Sequence, residues 1–525
     1  MSGEGLIGGA GTTGALNSYN AVTWLLDRNV DEGRGDKLAF TDTVDDLTYG
    51  QLQSQSRRLG NLLRRLGVRR EERVAMVMLD TVDFPVVFLG AIRAGAVPVP
   101  LNTLLTPEQY AYILADCRAR VLFVSEALWP LLRDVAGRIA TLEHVVVSGA
   151  NADGQLKFSD EMARESDHFA TVDTHPEEPA FWLYSSGSTG MPKGVRHLHA
   201  SLAATADTYA RQVLGIREDD ICLSAAKLFF AYGLGNALTF PMSVGATTVL
   251  NAERPTPARM FDLMQAYHPS IFFGVPTLFA AMLNDEALKN AGGGSRLRVC
   301  TSAGEALPES VGTHWRKRFN VDILDGVGST ELLHIFLSNA PGDVKYGTSG
   351  RPVPGYQVRL VDENGDDVAD GEVGELLVDA PSAGEGYWNQ RGKSRRTFEG
   401  NWTRTGDKYV RDADGRYTYC GRADDMFKVS GNWVSPFEVE SALITHPAVA
   451  EAAVVPEEDG EGLLKPKAFV VLKPGAVTDG LHEALKEHVK HAVGPWKYPR
   501  WIEVVDALPK TATGKIQRFK LREKS

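Results

Sequence analysis

The tightest constraint on this chain's fold is a rhythm. Between residues 47 and 124, segments with helical apolar spacing alternate with short, nearly continuous apolar runs. In LTYGQLQSQSRRLGNLLRRL, residues 47–66, Leu52, Leu59, Leu62, Leu63 and Leu66 recur at helical spacing with arginines between them. A short buried strand is expected from Arg73 to Leu79. Then come an apolar helix around Phe84–Ala94, strand Ala96–Pro100, helix Pro107–Cys117 and strand Ala119–Val124. The rhythm predicts parallel β-α-β units. It returns between residues 200 and 325, with helix Ala258–Tyr267, strand Ser270–Gly274, helix Thr277–Leu283 and strand Leu297–Ser302.

The texture changes near residue 346. From Gly347 to Gly421, glycines, prolines and short alternating stretches (YQVRLVD, GELLVD, YVRDADGRYTYCG) predict an antiparallel β subdomain. The last hundred residues return to a compact α+β pattern, with helices at Pro436–Thr445 and Leu481–Val493. Strands are expected there at Ala450–Val455, Lys467–Leu472 and Arg500–Val505. The expected fold class is therefore α/β. A loose tail spans residues 1–18 and a large domain residues 19–423, including the β-rich part at about 347–421. A small α+β domain spans residues 424–525, with the boundary near Gly421–Gly431.

The chain's 525 residues suffice for two or three domains. A net charge of −11 argues against a general nucleic-acid binder, yet leaves room for a local cationic site for an anion. Cys117, Cys222, Cys300 and Cys420 are scattered without a C-x-x-C pair, so neither a disulfide framework nor a thiolate metal site is expected. The opening MSGEGLIGGAGTTGALNS has no basic start and no long apolar run, unlike a signal peptide. The stretch Pro85–Leu101 contains Arg93 and three prolines, so it reads as a buried helix and strand rather than a membrane span. A cytoplasmic protein is the expectation.

The sharpest local signal is YSSGSTGMPKG, residues 184–194. It comes after the apolar run AFWLY and is expected to precede a helix-like segment. Gly187 and Gly190 let backbone N–H groups approach phosphate oxygens. Ser185, Ser186, Ser188 and Thr189 add hydroxyl donors, and Lys193 adds charge. The spacing differs from the P-loop pattern, and no hydroxyl residue comes after the lysine. A second signal, Asp325-Gly326-Val327-Gly328-Ser329-Thr330-Glu331, comes after the run VDIL. Its glycines permit close backbone approach, Thr330 offers a hydroxyl, and Glu331 offers a hard oxygen ligand for Mg²⁺. It lacks the third glycine of a dinucleotide fingerprint.

The first string closely resembles the phosphate-loop signature of the adenylate-forming superfamily, which includes acyl-CoA synthetases, luciferases and peptide-synthetase adenylation domains. Further segments resemble that superfamily in the right order over roughly residues 20–520. The resemblance implies ATP, Mg²⁺ and CoA as ligands. It places the adenine beside Gly304-Glu305-Ala306 and the Asp325–Thr330 segment, and the ribose on Asp407, with Arg422 donating to ribose or phosphate. Glu331 and Thr189 would hold the metal, and Lys193 would assist at the phosphates. Asp424 matches the hinge, and Lys428, Ser430 and Gly431 the loop presented to the thiol. Lys515, in PKTATGKI, occupies the catalytic-lysine position.

The segment Lys227–Asn236 and the run STELLHIF resemble the aryl-pocket segments of benzoate–CoA ligases and their hydroxybenzoate relatives. Phe230, Ala231, Tyr232, Ala303, Gly328, His334 and Ile335 are the implied pocket. The implied reaction joins an aryl acid to CoA through an acyl-adenylate, releasing pyrophosphate and then AMP. Loading onto a carrier-protein thiol shares every motif, and a luciferase-like oxygenase is the alternative of another class. His482, His488 and His491 do not form H-E-x-x-H and read as a solvated helix face. Neither nucleic acid nor membrane is an expected partner. A homodimer is one option, but the sequence does not fix the oligomeric state.

Overall fold

The computed structural model describes residues 18–185, 191–429, 432–460, 463–494, 497–510 and 516–522. The expected parallel units are present. A five-stranded parallel sheet runs in the order Val97–Pro100, Arg73–Val77, Val121–Ser125, His144–Ser148, Leu156–Lys157. A nine-stranded sheet is built on the parallel neighbours Ile323–Gly328, Val299–Ser302, Ile271–Gly274, Ile221–Ser224, Thr247–Val249 and Leu38–Thr41. Antiparallel strands Ile335–Ser338 and Asp46–Thr48 flank this parallel run on either side.

Local chemistry explains the helix positions. Thr48 and Gln51 form a capping box, each side chain bonding the other's backbone N–H, so helix Tyr49–Arg65 starts where it does. Thr106 and Gln109 do the same for Pro107–Asp116, with proline in the first turn. Helices Tyr49–Arg65 and Asp83–Arg93 approach so closely that a Cβ on Gly90 would lie 2.5 Å from Leu59 Cδ2.

The phosphate-loop segment departs from the expected local structure. It leads into a strand rather than a helix. Strand Lys193–Leu198 runs antiparallel to Pro179–Ser185, with Ser185 paired to Lys193 and Tyr184 to Gly194. The pattern there has period two, with Val195 and His197 both buried, and the helix begins only at His199. Strand Gly386–Tyr387 completes this small antiparallel sheet. The expected β-rich region forms a sheet of Gln357–Val361, Val373–Asp379, Trp402–Arg411 and Phe398–Glu399, with Tyr417–Arg422 also pairing to Trp402–Arg411. The C-terminal part packs helices Pro436–Ile444 and Leu481–Val493 against strands Val449–Glu458, Leu464–Leu472 and Trp501–Val504. Among the described residues no helix is long and apolar enough to cross a membrane.

Arg93, which breaks the apolar run at Pro85–Leu101, is 1% exposed. Its guanidinium makes a bidentate pair with Asp27 at 2.7 and 3.0 Å. It also donates to Ser56 Oγ at 3.1 Å and Thr171 Oγ1 at 2.6 Å. One buried cation thus joins the N-terminal segment, both packed helices and the strand-connecting loop. Asp27→Ala leaves that charge unpaired, and should destabilise the large domain by about 3–5 kcal/mol. Thermal unfolding would show this as a lowered first midpoint; an unchanged midpoint would refute the assignment.

Candidate active site

In an open parallel sheet the ligand crevice lies beyond the carboxyl ends of the strands. Here that edge gathers the sequence-predicted residues. Strand Ile221–Ser224 leads into Lys227–Tyr232, Val299–Ser302 into Ala303–Ala306, and Ile323–Gly328 into Ser329–Glu331. Gly304 has φ +94° and nothing within 4 Å of a Cβ position, so this turn is open to solvent.

Glu331 and Lys193 arrive from different sheets. Glu331 Oε1 accepts hydrogen bonds from Ser185 Oγ at 3.2 Å and from the Tyr387 hydroxyl at 2.8 Å. Lys193 Nζ lies 3.6 Å from the same oxygen and donates to the Tyr387 hydroxyl at 3.2 Å. That ammonium also sits 4.3 Å from the Tyr387 ring centroid. Burial lowers the Lys193 pKa, while Glu331 opposes the shift. The Gly384 N–H bonds the Glu331 carbonyl at 2.8 Å, fastening the small sheet to the large one.

Asp407 and Arg422 face each other across paired strands, and Arg422 Nη1 bonds Asp407 Oδ1 at 2.9 Å and the Thr405 carbonyl at 3.0 Å. Between them Gly406 has φ +71°, and a Cβ there would come within 2.8 Å of Arg422 Nη2.

Asp325, in the segment expected along the nucleotide, turns its carboxyl inward. Its side chain is buried, accepts the Leu307 N–H at 3.4 Å, and is pushed up to about 8 by burial. It braces the turn after Ser302 from beneath. Gly326 is buried, and Val327, Ser329 and Thr330 are half-buried. Gly328 is exposed on the rim, where a Cβ would lie 2.6 Å from the His334 carbonyl. Glu305 is exposed and Ala306 half-buried.

The aryl segment forms a wall. Ala303, His334 and Ile335 are buried, and Tyr232 packs into the same apolar cluster as Ala303 and Ile335. The His334 ring lies 4.5 Å from Phe240 and 5.6 Å from Tyr232, and its Nε2 meets Asn236 Oδ1 at 3.1 Å. Burial pushes His334 down to about 3, so the imidazole is neutral. A Cβ on Gly235 would come within 2.4 Å of His334 Cδ2, so only glycine lets this helix approach the ring. The Tyr232 hydroxyl is 2.5 Å from Thr301 Oγ1. Ala231 packs on the neighbouring core, and the Phe230 ring lies against Phe229 with centroids 4.5 Å apart and planes inclined at 58°.

Asp424 is exposed, and Lys428 Nζ contacts Glu363 at 3.2 Å. Ser186, Gly187, Ser188, Thr189, Gly190, Ser430, Gly431 and Lys515 lie outside the described residues.

Residues 26–388 match the AMP-binding enzyme family, and residues 438–515 match the AMP-binding enzyme C-terminal domain. The chain belongs to the AMP-binding enzyme family. Within it, the chain is 55% identical over 510 residues to a 4-hydroxybenzoate–CoA/benzoate–CoA ligase of Rhodopseudomonas palustris, covering 97% of this chain and 94% of that protein. It is 56% identical over 508 residues to a benzoate–CoA ligase of Thauera aromatica, covering 96% of each. The crystal structure of a benzoate CoA ligase from Burkholderia xenovorans LB400 superimposes with TM-score 0.88 at 50% identity, covering 96% of this chain and all of that one.

Nothing in the sequence singles out Tyr387. Tyr387 sits in GYWN, a turn-rich stretch with no charge to announce chemistry; only the pairing of Tyr387 with Val195 brings it to Lys193. Tyr387→Phe keeps the ring under Lys193 and removes the bridge to Glu331. Acid-dependent ATP–pyrophosphate exchange should fall by about tenfold, the scale of one hydrogen bond to a charged group. Unchanged exchange would show the bridge to be idle.

Proposed function

We propose that the chain is an ATP-dependent, AMP-forming aryl carboxylic acid–CoA ligase. The observation that carries this is the content of one short segment. Gly328–Ile335 bears the carboxylate Glu331 at the cleft and, three and four residues on, the buried pocket-wall residues His334 and Ile335. A substrate held on that wall would present its carboxylate toward the phosphate end of the cleft.

In the first half-reaction a carboxylate oxygen attacks the α-phosphorus of ATP and pyrophosphate leaves. Two anions must approach, so positive charge is needed where negative charge builds on the phosphoryl oxygens. Lys193 supplies one such charge, pre-aimed by Tyr387. Asp407 suits the ribose hydroxyls and Arg422 the adjacent oxygens. Mg²⁺ binds through one or two carboxylates together with substrate phosphates, and Glu331, held by the Ser185 and Tyr387 hydroxyls, fits that demand. Thr189 is assigned to the same metal from the sequence. When bound, the ion would neutralise phosphate charge. In the second half-reaction the CoA sulfur attacks the acyl carbon and AMP leaves. We assign Lys515 to the first step and the Lys428–Gly431 side to the second, with the C-terminal domain pivoting at Asp424.

The apolar wall and the neutral His334 favour a flat aromatic acid over a second anionic group. The two relatives named for benzoate and 4-hydroxybenzoate bracket the expected range. Across a panel of acids, benzoate or a hydroxybenzoate should give the highest kcat/KM for CoA-dependent AMP formation. Exclusive turnover of medium-chain fatty acids would contradict the aryl assignment. Lys515→Ala should abolish most adenylation while sparing thioester formation from supplied benzoyl-adenylate. Equal loss of both would contradict a lysine specific to the first step.

A further inference from the structure

Two arginines near the C-terminus, Arg518 and Arg522, are held at the proposed hinge. Upstream of them the chain is fastened as well. Lys510 and Ile516 form an antiparallel bridge, Gln517 N–H donates to the Pro509 carbonyl at 2.8 Å, and Lys510 Nζ lies 2.7 Å from Glu451.

Arg518 is the central anchor. Its Nε and Nη2 donate to Glu440 Oε1 and Oε2 at 3.0 and 2.7 Å, a bidentate pair. Glu440 is 4% exposed, and its Oε1 also accepts the Val454 N–H at 2.7 Å. The remaining arm, Arg518 Nη1, reaches Asp425 Oδ2 at 3.3 Å. Arg522 adds contacts to Asp425 Oδ1 at 2.5 Å and to the Asp424 carbonyl at 3.4 Å. Burial opposes the charge on Arg518, but Glu440 and Asp425 more than offset it.

On the other side of Asp424, the chain is anchored to the large domain. Arg422 is tied to Asp407 and Thr405, and Ala423 N–H donates to the Gly406 carbonyl at 2.8 Å. A turn with Asp425 and Met426 N–H both 3.0 Å from the Arg422 carbonyl spans the gap. Asp424 therefore sits between a residue held by Asp407 and a residue held by Arg518.

We propose that Arg518 is a positioning residue for the adenylation half-reaction. It joins Asp425, the helix carrying Glu440 and residues 516–522, which follow Lys515 in the chain, so that rotation at Asp424 turns them together. This rests on the assignment of Lys515 to that half-reaction. Displacement of a reacting group by about 1 Å can cost about 100-fold in rate, so a loosened anchor should be visible in kcat.

The test compares Arg518→Gln, Arg518→Lys and the double variant Glu440→Gln/Arg518→Met with Lys515→Ala, all in the full chain. Acid-dependent ATP–pyrophosphate exchange reports adenylation. CoA thioester formation from supplied benzoyl-adenylate reports the second step, and thermal melting reports the fold. The double variant avoids stranding a buried carboxylate, so it separates positioning from folding. Arg518→Gln and the double variant should lose about 100-fold in kcat for exchange, with KM for ATP and thioester formation little changed. Arg518→Lys should recover little, because one ammonium cannot serve both Glu440 oxygens and Asp425. Retained exchange in the Arg518 variants, with exchange lost in Lys515→Ala, overturns the inference alone. Equal loss of both half-reactions in a folded double variant also overturns it, marking Arg518 as structural. Retained exchange in Lys515→Ala overturns the lysine assignment and the inference with it.

Discussion

Lys193 and Glu331 meet 3.6 Å apart although neither belongs to the other's sheet. A cation and a carboxylate left to themselves would close into a tight pair and neutralise each other. The Tyr387 hydroxyl stands between them, accepting from the ammonium and donating to the carboxylate. Both charges remain separately addressable, as the roles proposed for them at phosphate and metal require. Holding that geometry requires the small antiparallel sheet to dock on the end of the nine-stranded sheet, and Gly384 bonds the Glu331 carbonyl to secure it.

The same sheet edge explains why nucleotide chemistry and acid selection are linked. Strand Ile323–Gly328 ends in the cleft, turns through Glu331, and returns as Ile335–Ser338 in antiparallel pairing with itself. The turn carries the half-buried Glu331 on one side and buries His334 and Ile335 on the other. Asp325 beneath it holds the Leu307 amide, so the turn after Ser302 and the segment bearing His334 share one brace.

Much of this was legible in the sequence, and the failures have physical causes. The parallel units were readable because buried strands and amphipathic helices have distinct periods, and the Leu52–Leu63 helix lies where its leucines place it. The strand after the phosphate loop was missed because KGVRHL contains only one strong β-former; its alternation shows in the burial of Val195 and His197. Tyr387 was invisible because its role depends on pairing across nearly two hundred residues of chain. The motif places Asp325 beside the nucleotide; that strand alternation turns its carboxylate into the core is not read from the motif alone. Arg518 and Arg522 both meet Asp425, and Arg518 also pairs with the buried Glu440, which sits in an ordinary-looking helix. Long-range pairing of charges is the information a linear sequence carries least openly.

The central claim is that this cleft splits ATP at the α-phosphate with an aryl acid as the attacking group. The most direct measurement is mass spectrometry of the products formed with ATP, Mg²⁺ and benzoate before CoA is added, and again after. The account predicts benzoyl-adenylate and pyrophosphate first, then benzoyl-CoA and AMP. Formation of ADP with an acyl phosphate, or no cleavage of ATP in the presence of any aryl acid, would contradict it.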